Sequence, residues 1–333
     1  MMFFDRDNLF DYEKKLLKEL TSLQLVSLHN RIPLYIDIHP SGMCNQHCRW
    51  CIGVNKGLLS GFLEGSAMFE IVDSAQDMRV QCLVFDGFYG DPLLNPDTMN
   101  AIEQAVERNM SVGLGTNGLL LDENKNKKLV NLTYIRVSLD TYRNDVYNLL
   151  KDTEGKLADQ IVSNVRHLVE LKKQLNKKIR IGLSFLLQLE TVDEIEQIIV
   201  FSKEIGVDHI QFKVDLCDNI LDLDRIQKKV NEGRKHESDS FSIFSDIFIP
   251  GERKEKCFVP YFIPVIGPDG GVYTCCEYSY REDKSYGNIH RQSFQDIWFG
   301  QRKLDVVNSI DGRQCDVCSR HNWRINNFVN EMK

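Results

Sequence analysis

The chain has 333 residues, of which 42% are hydrophobic, and a formal net charge of −7 at pH 7. Single cores rarely grow beyond about 250–300 residues, so we expect two domains, and the acidic balance without a Lys/Arg-rich block argues against nucleic acid as a partner. The N-terminus lacks the basic start of a signal peptide, and no apolar run reaches the roughly 18 residues that span a bilayer, so we expect a cytoplasmic protein without membrane contact.

The predicted elements begin with one helix and continue with six strands that alternate with helices. An amphipathic pattern from Tyr12 to Leu20 predicts a helical extension over residues 1–33. Beyond it, short β-branched runs alternate with helical patterns, which predicts a parallel sheet of βα units. Six units are fewer than the eight of a complete barrel, so the predicted fold is α/β, a partial (β/α)6 TIM-like barrel over residues 34–235. The strand candidates are residues 34–39, 81–85, 111–115, 134–139, 180–187 and 208–214.

Residues 236–333 are predicted to form a linker and a small C-terminal domain. Residues 233–256 are rich in Ser, Asp, Lys and Glu, which is typical of a linker. Two strand-like runs then flank the turn that begins at Pro268, which predicts a β-hairpin, and helical patterns follow. In a barrel of this type the active site lies at the C-terminal ends of the strands.

Ten cysteines in a chain without a secretion signal indicate metal binding rather than disulfides, because intracellular thiols are kept reduced. The first group is the C-x3-C-x2-C loop of Cys44, Cys48 and Cys51, which follows the first strand. Thiolates are the ligands that iron–sulfur clusters select, and three of them hold three irons of a 4Fe-4S cluster and leave the fourth iron open to a small molecule. A zinc site completed by His39 or His47 is the alternative.

Four segments at successive strand ends carry a resemblance to a known family. After the cysteine loop come residues 85–92 (FDGFYGDP), 115–118 (GTNG) and 137–140 (VSLD). In this order they resemble the radical S-adenosylmethionine superfamily, over roughly residues 34–320. The resemblance implies that Trp50 lies against the adenine and that Gly90 and Asp91 receive the amino group of S-adenosylmethionine, with Asp91 in place of the family's usual Glu. The other implied cofactor contacts are Thr116, Asn117, Ser138 and Asp140.

The resemblance also implies the chemistry. One electron from the reduced cluster, supplied by an external donor such as flavodoxin or ferredoxin, cleaves S-adenosylmethionine, and the resulting 5′-deoxyadenosyl radical takes a hydrogen atom from a substrate carbon. The cofactors carry the difficult chemistry, and the protein supplies binding and orientation.

The second cysteine group resembles the SPASM extension of that family and its shortened form, the Twitch domain. No cysteine follows Cys318, which favours a Twitch-type domain with one auxiliary 4Fe-4S cluster. Cys276 adjoins Cys275, and adjacent side chains on a strand point to opposite faces, so we expect one of the two to face the cluster. A zinc ribbon is the alternative. The expected ligands are Cys257, Cys275, Cys315 and Cys318.

Candidate substrate contacts lie at the ends of the first, fifth and sixth strands. We expect catalytic roles for His39, Lys213 and Cys217, and contacts from Gln188 and Asp215. Cys217 is placed to return a hydrogen atom to a substrate radical, although a lone cysteine is also a common small apolar residue. Each of the others has a solvated loop position as its alternative.

The short C-terminal extension, of the Twitch type, favours oxidation of a secondary alcohol on a sugar, aminocyclitol or nucleoside-type small molecule. The electron from this oxidation would pass to the auxiliary cluster. Epimerisation or dehydration of a similar molecule is an alternative, and modification of a peptide is another. We expect a small molecule, since the stretch before the first strand is shorter than the leader-binding domain of many peptide-modifying enzymes. An electron carrier or metal sensor would need no open iron and no cofactor-shaped barrel.

Overall fold

The computed structural model describes residues 31–51, 53, 61–88, 90–215, 221–248, 250–315 and 317–331. These residues form one sheet, in which β1 to β7 run parallel in chain order and β8 pairs parallel with the free side of β1. β9 and β10 continue the sheet in antiparallel fashion. The strands are β1 Ile36–Ile38, β2 Cys82–Phe85, β3 Ser111–Thr116, β4 Tyr134–Ser138, β5 Arg180–Leu187, β6 His209–Val214, β7 Ser242–Asp246, β8 Val265–Ile266, β9 Gly271–Tyr273 and β10 Ser285–Asn288.

Helices connect the parallel strands and cover the outer face of the sheet. The helix α3 shows how local sequence sets its ends: Asp122 accepts the N–H of Lys125 as an N-cap, and lysines occupy the last turn, where they complement the helix dipole. Gly206 ends the helix α6, Ile195–Ile205, in the left-handed conformation (φ 88°), which glycine adopts without steric cost. The helices are α1 Gly65–Asp77, α2 Thr98–Glu107, α3 Glu123–Leu129, α4 Asn144–Lys151, α5 Leu157–Gln174, α6 Ile195–Ile205, α7 Leu223–Gly233, α8 Phe294–Trp298, α9 Gln301–Asn308 and α10 Arg320–Glu331.

The two faces of the barrel strands differ in chemistry. Side chains such as Ile38, Phe85 and Ile135 point to the helices and are fully buried, and each contributes roughly 1.5–3 kcal/mol of burial free energy. The opposite face lines the barrel interior. Gly182 of β5 makes room there, because a Cβ at that position would lie 2.0 Å from Nε2 of His209 on β6.

The partial barrel is confirmed, but its extent differs from the prediction. Residues 233–256 were predicted as a linker, and Ser242–Asp246 within them forms the seventh parallel strand, paired with β6. The prediction was wrong here because the polar residues of this strand face the barrel interior rather than solvent, so its composition is typical of a loop. The two-residue strand β8 joins the C-terminal hairpin to β1, so both predicted domains share one sheet.

The division at 1–33, 34–235 and 236–333 stays a prediction. The predicted N-terminal helix falls within residues 1–30, outside the described residues. Among the described residues, every helix is too short or too polar to traverse a bilayer.

Candidate functional site

A cavity of about 1160 Å³ follows the inner face of the barrel strands to their C-terminal ends. Cys44, Cys48 and Cys51 contribute to one part of its wall, and Cys275 and Cys276 to another. Both predicted cysteine groups therefore contribute to the wall of the same cavity.

The last turn of helix α4 holds the first cysteine loop through two backbone hydrogen bonds. The N–H of His47 donates to the carbonyl of Lys151 (3.0 Å), and the N–H of Arg49 donates to the carbonyl of Leu150 (3.1 Å). The last carbonyls of a helix have no partner within the helix, so the loop satisfies them. All three thiols of the loop are free. Burial raises the pKa of the Cys44 thiol to about 11, which a bound metal centre would reverse because thiolates are its ligands.

The segment of residues 85–92 packs directly against this loop. The N–H of Asp91 donates to the carbonyl of Met43 (2.8 Å). A Cβ on Gly90 would lie 2.3 Å from the carbonyl oxygen of Ser41, so only glycine permits this approach. The glycine before Asp91 thus fixes the distance between its carboxylate and the cysteines.

The Asp91 carboxylate is 2% exposed and already accepts three hydrogen bonds. Oδ1 accepts from the N–H of Leu93 (3.0 Å), and Oδ2 accepts from Oγ1 of Thr116 (2.8 Å) and from the N–H of Asn117 (2.7 Å). Burial raises its pKa, although these donors oppose the rise. A carboxylate has about four acceptor positions, so one stays available for an ammonium group. The role of Asp91 as acceptor of the cofactor amine stays a prediction.

Asn117 links this carboxylate to the cysteine loop. Its side-chain amide donates to Oδ1 of Asn45 (2.7 Å) and lies 3.7 Å from Sγ of Cys44. Of the two residues that the sequence assigns to the cofactor here, Thr116 therefore contacts Asp91, and Asn117 contacts both Asp91 and the cysteine loop.

Lys151 is the functional candidate that the sequence does not identify. Its ammonium group is buried, pairs with Oδ2 of Asp140, lies 4.6 Å from the ring centre of Trp50 and interacts electrostatically with the thiol of Cys48. Burial lowers its pKa, but Asp140, Cys48 and Tyr147 together raise it by more, so the lysine stays protonated. A lysine in the last turn of a helix is expected to serve the helix dipole, so its sequence position gives no signal.

Asp140 follows β4 in the left-handed conformation (φ 63°). Its Oδ1 accepts the N–H of Leu186 on β5 (2.7 Å), and its Oδ2 pairs with Lys151. Ser138 and Trp50 also line the cavity. The structure therefore brings the predicted cofactor residues of β4 together with the cysteine loop.

The second cysteine group also assembles. The thiol of Cys257 interacts electrostatically with those of Cys275 and Cys315, and Cys318 with those of Cys257 and Cys315. Burial raises the pKa of Cys257 and of Cys318 to about 12. Cys276 interacts with its neighbours Glu277 and Cys275 and, less strongly, with Asp37 and Asp86 inside the barrel. The four predicted ligands are thus mutual neighbours, and both Cys275 and Cys276 line the cavity.

Some of the candidate substrate residues line the cavity and others do not. Lys213 and Asp215 line the cavity. Gln188 is buried, and its Oε1 accepts from the guanidinium of Arg49 (3.2 Å) on the cysteine loop. His39 is 2% exposed, does not line the cavity and has Nε2 3.4 Å from Oδ2 of Asp37, and its catalytic role stays a prediction. Cys217 lies outside the described residues.

Comparison with known families agrees with this arrangement. Residues 38–202 match the radical SAM superfamily, and residues 257–320 match SPASM, an iron-sulfur cluster-binding domain. The chain belongs to the radical SAM superfamily. A radical SAM domain binds S-adenosylmethionine and a 4Fe-4S cluster, and a SPASM domain binds auxiliary clusters, so the protein is a radical SAM enzyme with both kinds of centre.

Two curated relatives carry names that differ in chemistry. The tungsten-containing aldehyde ferredoxin oxidoreductase cofactor-modifying protein of Pyrococcus furiosus is 23% identical over 301 residues, which cover 81% of each chain. The Fe-coproporphyrin III synthase of Methanosarcina barkeri is 26% identical over 237 residues, 69% of this chain. The match spans 55% of the length of the Methanosarcina protein.

Solved radical SAM structures share the fold. Streptococcus suis SuiB bound to S-adenosylmethionine superposes with a TM-score of 0.67 at 18% identity, over 92% of this chain and 74% of that one. The anSMEcpe structure with bound AdoMet gives a TM-score of 0.62 at 16% identity, over 90% and 96%. At these identities the likeness shows the fold alone.

The thiols fit iron–sulfur centres by number and surroundings. Three free thiols share the loop that faces the cavity, and four more interact with one another beside β9. A zinc ribbon would use the same four thiolates, so the metal content distinguishes the two kinds of centre.

We expect the protein reconstituted with iron and sulfide to hold about eight irons per chain, four for each cubane. A zinc ribbon at the C-terminal group would give about four irons and one zinc instead. Metal analysis by plasma emission distinguishes the two compositions.

The adjacent cysteines supply a matched control for this count. Cys275→Ala removes a predicted ligand and lowers the iron content, whereas Cys276→Ala leaves about eight irons, because Cys257 interacts with Cys275 rather than with Cys276. Loss of iron from the Cys276 variant alone would reverse the ligand assignment.

Proposed function

We propose that the protein cleaves S-adenosylmethionine reductively and uses the 5′-deoxyadenosyl radical to take a hydrogen atom from a substrate held in the barrel cavity. The supporting observation is the shared wall: the loop of Cys44, Cys48 and Cys51 and the pair Cys275 and Cys276 contact one cavity. A substrate there would lie between the centre that starts the reaction and the one that accepts an electron. An external one-electron donor such as flavodoxin or ferredoxin completes the cycle.

The protein's own residues bind and orient the cofactor in this proposal. Trp50 offers its ring to the adenine, Asp91 accepts the amino group through its remaining acceptor position, and the Lys151 ammonium lies beside both Trp50 and Cys48. Because Asp140 holds Lys151 in place, the cation keeps a fixed position at the metal loop. Ser138 contributes a hydroxyl at the cavity wall.

We propose further that the reaction oxidises a secondary alcohol of a sugar, aminocyclitol or nucleoside-type molecule. The hydrogen atom leaves to the adenosyl radical, the hydroxyl proton leaves to a base, and the remaining electron passes to the auxiliary centre. The polar interior supports a hydroxylated substrate, since Asp86, Arg136 and Gln211 line the cavity together with Lys213 and Asp246. Apolar side chains would dominate a site for an aliphatic substrate.

A peptide substrate is the second candidate. SuiB has been solved bound to its precursor peptide SuiA and superposes with a TM-score of 0.67 at 16% identity, over 96% of this chain and 76% of that chain. Structures of anSMEcpe with bound peptides superpose as well. Proteins that share this fold thus bind peptides, which makes a peptide a direct rival of the small alcohol.

Deuterium transfer tests both candidates. We expect reduced enzyme, given S-adenosylmethionine and perdeuterated cyclitols, hexosamines and nucleosides, to form 5′-deoxyadenosine one mass unit heavier, because the radical takes deuterium from the reacting carbon. Mass spectrometry of 5′-deoxyadenosine measures the label, and oxidation gives a product lighter by two hydrogens.

Peptides built from deuterated amino acids form the parallel arm. Label from the peptides but not from the alcohols would replace the alcohol proposal with the peptide one. Deuterium uptake from heavy water at the reacting carbon, without loss of two hydrogens, would indicate an epimerase instead.

A further inference from the structure

Most charges inside the barrel are paired with one another. Oδ2 of Asp86 after β2 accepts from Nη2 of Arg136 on β4 at 2.8 Å, and its Oδ1 accepts the N–H of Gly87 at 2.8 Å. Strand β3 lies between the two, and the pair forms because that strand has glycine there: a Cβ on Gly115 would lie 2.4 Å from Oδ1 of Asp86. The sequence of β3 thus permits this ion pair.

A second pair closes the other side of the barrel. Oδ1 of Asp246 on β7 pairs with Nη1 of Arg324 on α10, and Oδ2 accepts from the side chain of Gln211 at 2.6 Å. Both oxygens of this carboxylate are therefore engaged. Asp140 and Lys151 form the third pair, next to the cysteine loop.

Lys213 is the exception. It lies on β6 in register with Leu186 of β5 and Asp246 of β7, and its half-buried side chain lines the cavity. Among the described residues no acceptor lies within hydrogen-bond or ion-pair distance of its ammonium, because its neighbour Asp246 is turned to Arg324 and Gln211.

The polar groups around Lys213 include a hydrogen-bond donor without a partner. Burial and the cation of Arg136 lower the pKa of Lys213 to about 7, while Asp86, Asp246 and Asp140 oppose the shift. Nε of Arg136 is buried and has no hydrogen-bond partner. The carboxylates of Asp86, Asp246 and Asp140 act on Lys213 only over a distance, since each is already bonded to another residue. An anion would satisfy the spare donors and the spare charge, whereas a neutral hydroxyl would satisfy only the donors.

We propose that Lys213 binds a carboxylate or phosphate group of the substrate and thereby fixes the position of the reacting carbon in the cavity. The inference rests on the proposed function for the reaction that follows binding. The binding itself concerns only side chains of β2, β4, β6 and β7, and it needs neither S-adenosylmethionine nor a reductant.

Anion binding at Lys213 has a defined proton linkage. An anion favours the charged ammonium, so it raises the pKa of Lys213, and binding near pH 7 takes up a proton. Affinity for the anion is then highest below pH 7 and falls as the pH rises, since the amine loses its charge.

The test uses the holoprotein labelled with 13C at the ε carbon of lysine, with inorganic phosphate and acetate as probes. The NMR signal of Lys213 is identified by its absence in Lys213→Met and is titrated with pH in each salt, against chloride at equal ionic strength. We expect a pKa near 7 in chloride and a higher one with the anion. A signal that titrates near the ordinary value of about 10.4 and ignores both probes would overturn the proposal.

Variants separate a binding cation from a merely structural residue. Calorimetry should show that Lys213→Met binds phosphate with an affinity lower by about tenfold or more, since a charge-assisted hydrogen bond is lost. Lys213→Arg keeps the cation and should bind phosphate with near-normal affinity. Lys228→Met on the exposed face of α7 is the matched control and should bind as the unmodified protein does. Equal binding by Lys213→Met and the control would contradict the assignment even if the NMR signal moved.

The two probes distinguish the source of the anion. A response to phosphate alone indicates a phosphate ester, and a response to both salts indicates that a carboxylate is also accepted. Formation of 5′-deoxyadenosine is measured separately. If the protein forms none, the proposed function is refuted, while anion binding at Lys213 is unaffected. Conversely, radical formation without any anion response would refute only the role of Lys213.

Discussion

Alanine in place of Cys44, Cys48 and Cys51 together is expected to abolish formation of 5′-deoxyadenosine from S-adenosylmethionine and dithionite. These thiols lie on the loop that faces the cavity, and no other free cysteine of the described residues lies on that loop. Without them the cubane has no protein ligand at this wall, so no electron reaches the bound cofactor. Chromatography of 5′-deoxyadenosine measures the loss, and the iron content should fall to about four per chain.

Cys82→Ala supplies the control. This cysteine lies on β2 and belongs to neither group, so the variant should keep about eight irons and form 5′-deoxyadenosine as the unmodified protein does. Continued production of 5′-deoxyadenosine by the triple variant would refute the central assignment. Equal loss in the Cys82 variant would mean that the assay reports folding rather than the cluster.

The sequence predicts the barrel strands well because buried apolar side chains alternate along them with residues that face the barrel interior, a period of two that is visible in the sequence. Residues 180–187 and β5, Arg180–Leu187, coincide, and residues 111–115 lie within β3, Ser111–Thr116. The motif segments lie at strand ends, where turn residues are informative. The helix end at Gly206 is equally local, since its left-handed conformation favours glycine.

The features that the sequence does not predict depend on tertiary contacts. Strand β7 has polar residues because its inner face meets charged side chains, and β8 has only two residues, too few for a pattern. His39 follows a predicted strand end and is buried, and its N–H donates to the carbonyl of Ile266 on β8, a pairing that its own segment does not indicate. Such outcomes require the pairing of distant segments to be known.

Lys151 shows the same limit at the site itself, and its removal is the second large effect that we expect. Lys151→Met leaves the Asp140 carboxylate buried without its counter-charge, which is expected to cost about 3–5 kcal/mol of the free energy of unfolding. The cysteine loop should loosen as well, since Lys151 contacts Cys48 and Trp50. Urea unfolding measures the first effect, and the iron retained after gel filtration measures the second.

The partner variant determines whether charge or packing causes the loss. Asp140→Asn keeps the oxygen that accepts the N–H of Leu186 and removes the charge, so Lys151→Met combined with Asp140→Asn should recover much of the stability. It should not restore iron retention, because the cation beside Cys48 is still absent. Lys127→Met, which breaks only an exposed pair on α3, should change neither measurement appreciably. If the double variant is no more stable than Lys151→Met, the lysine contributes by packing on Trp50 and Tyr147 rather than by neutralising Asp140.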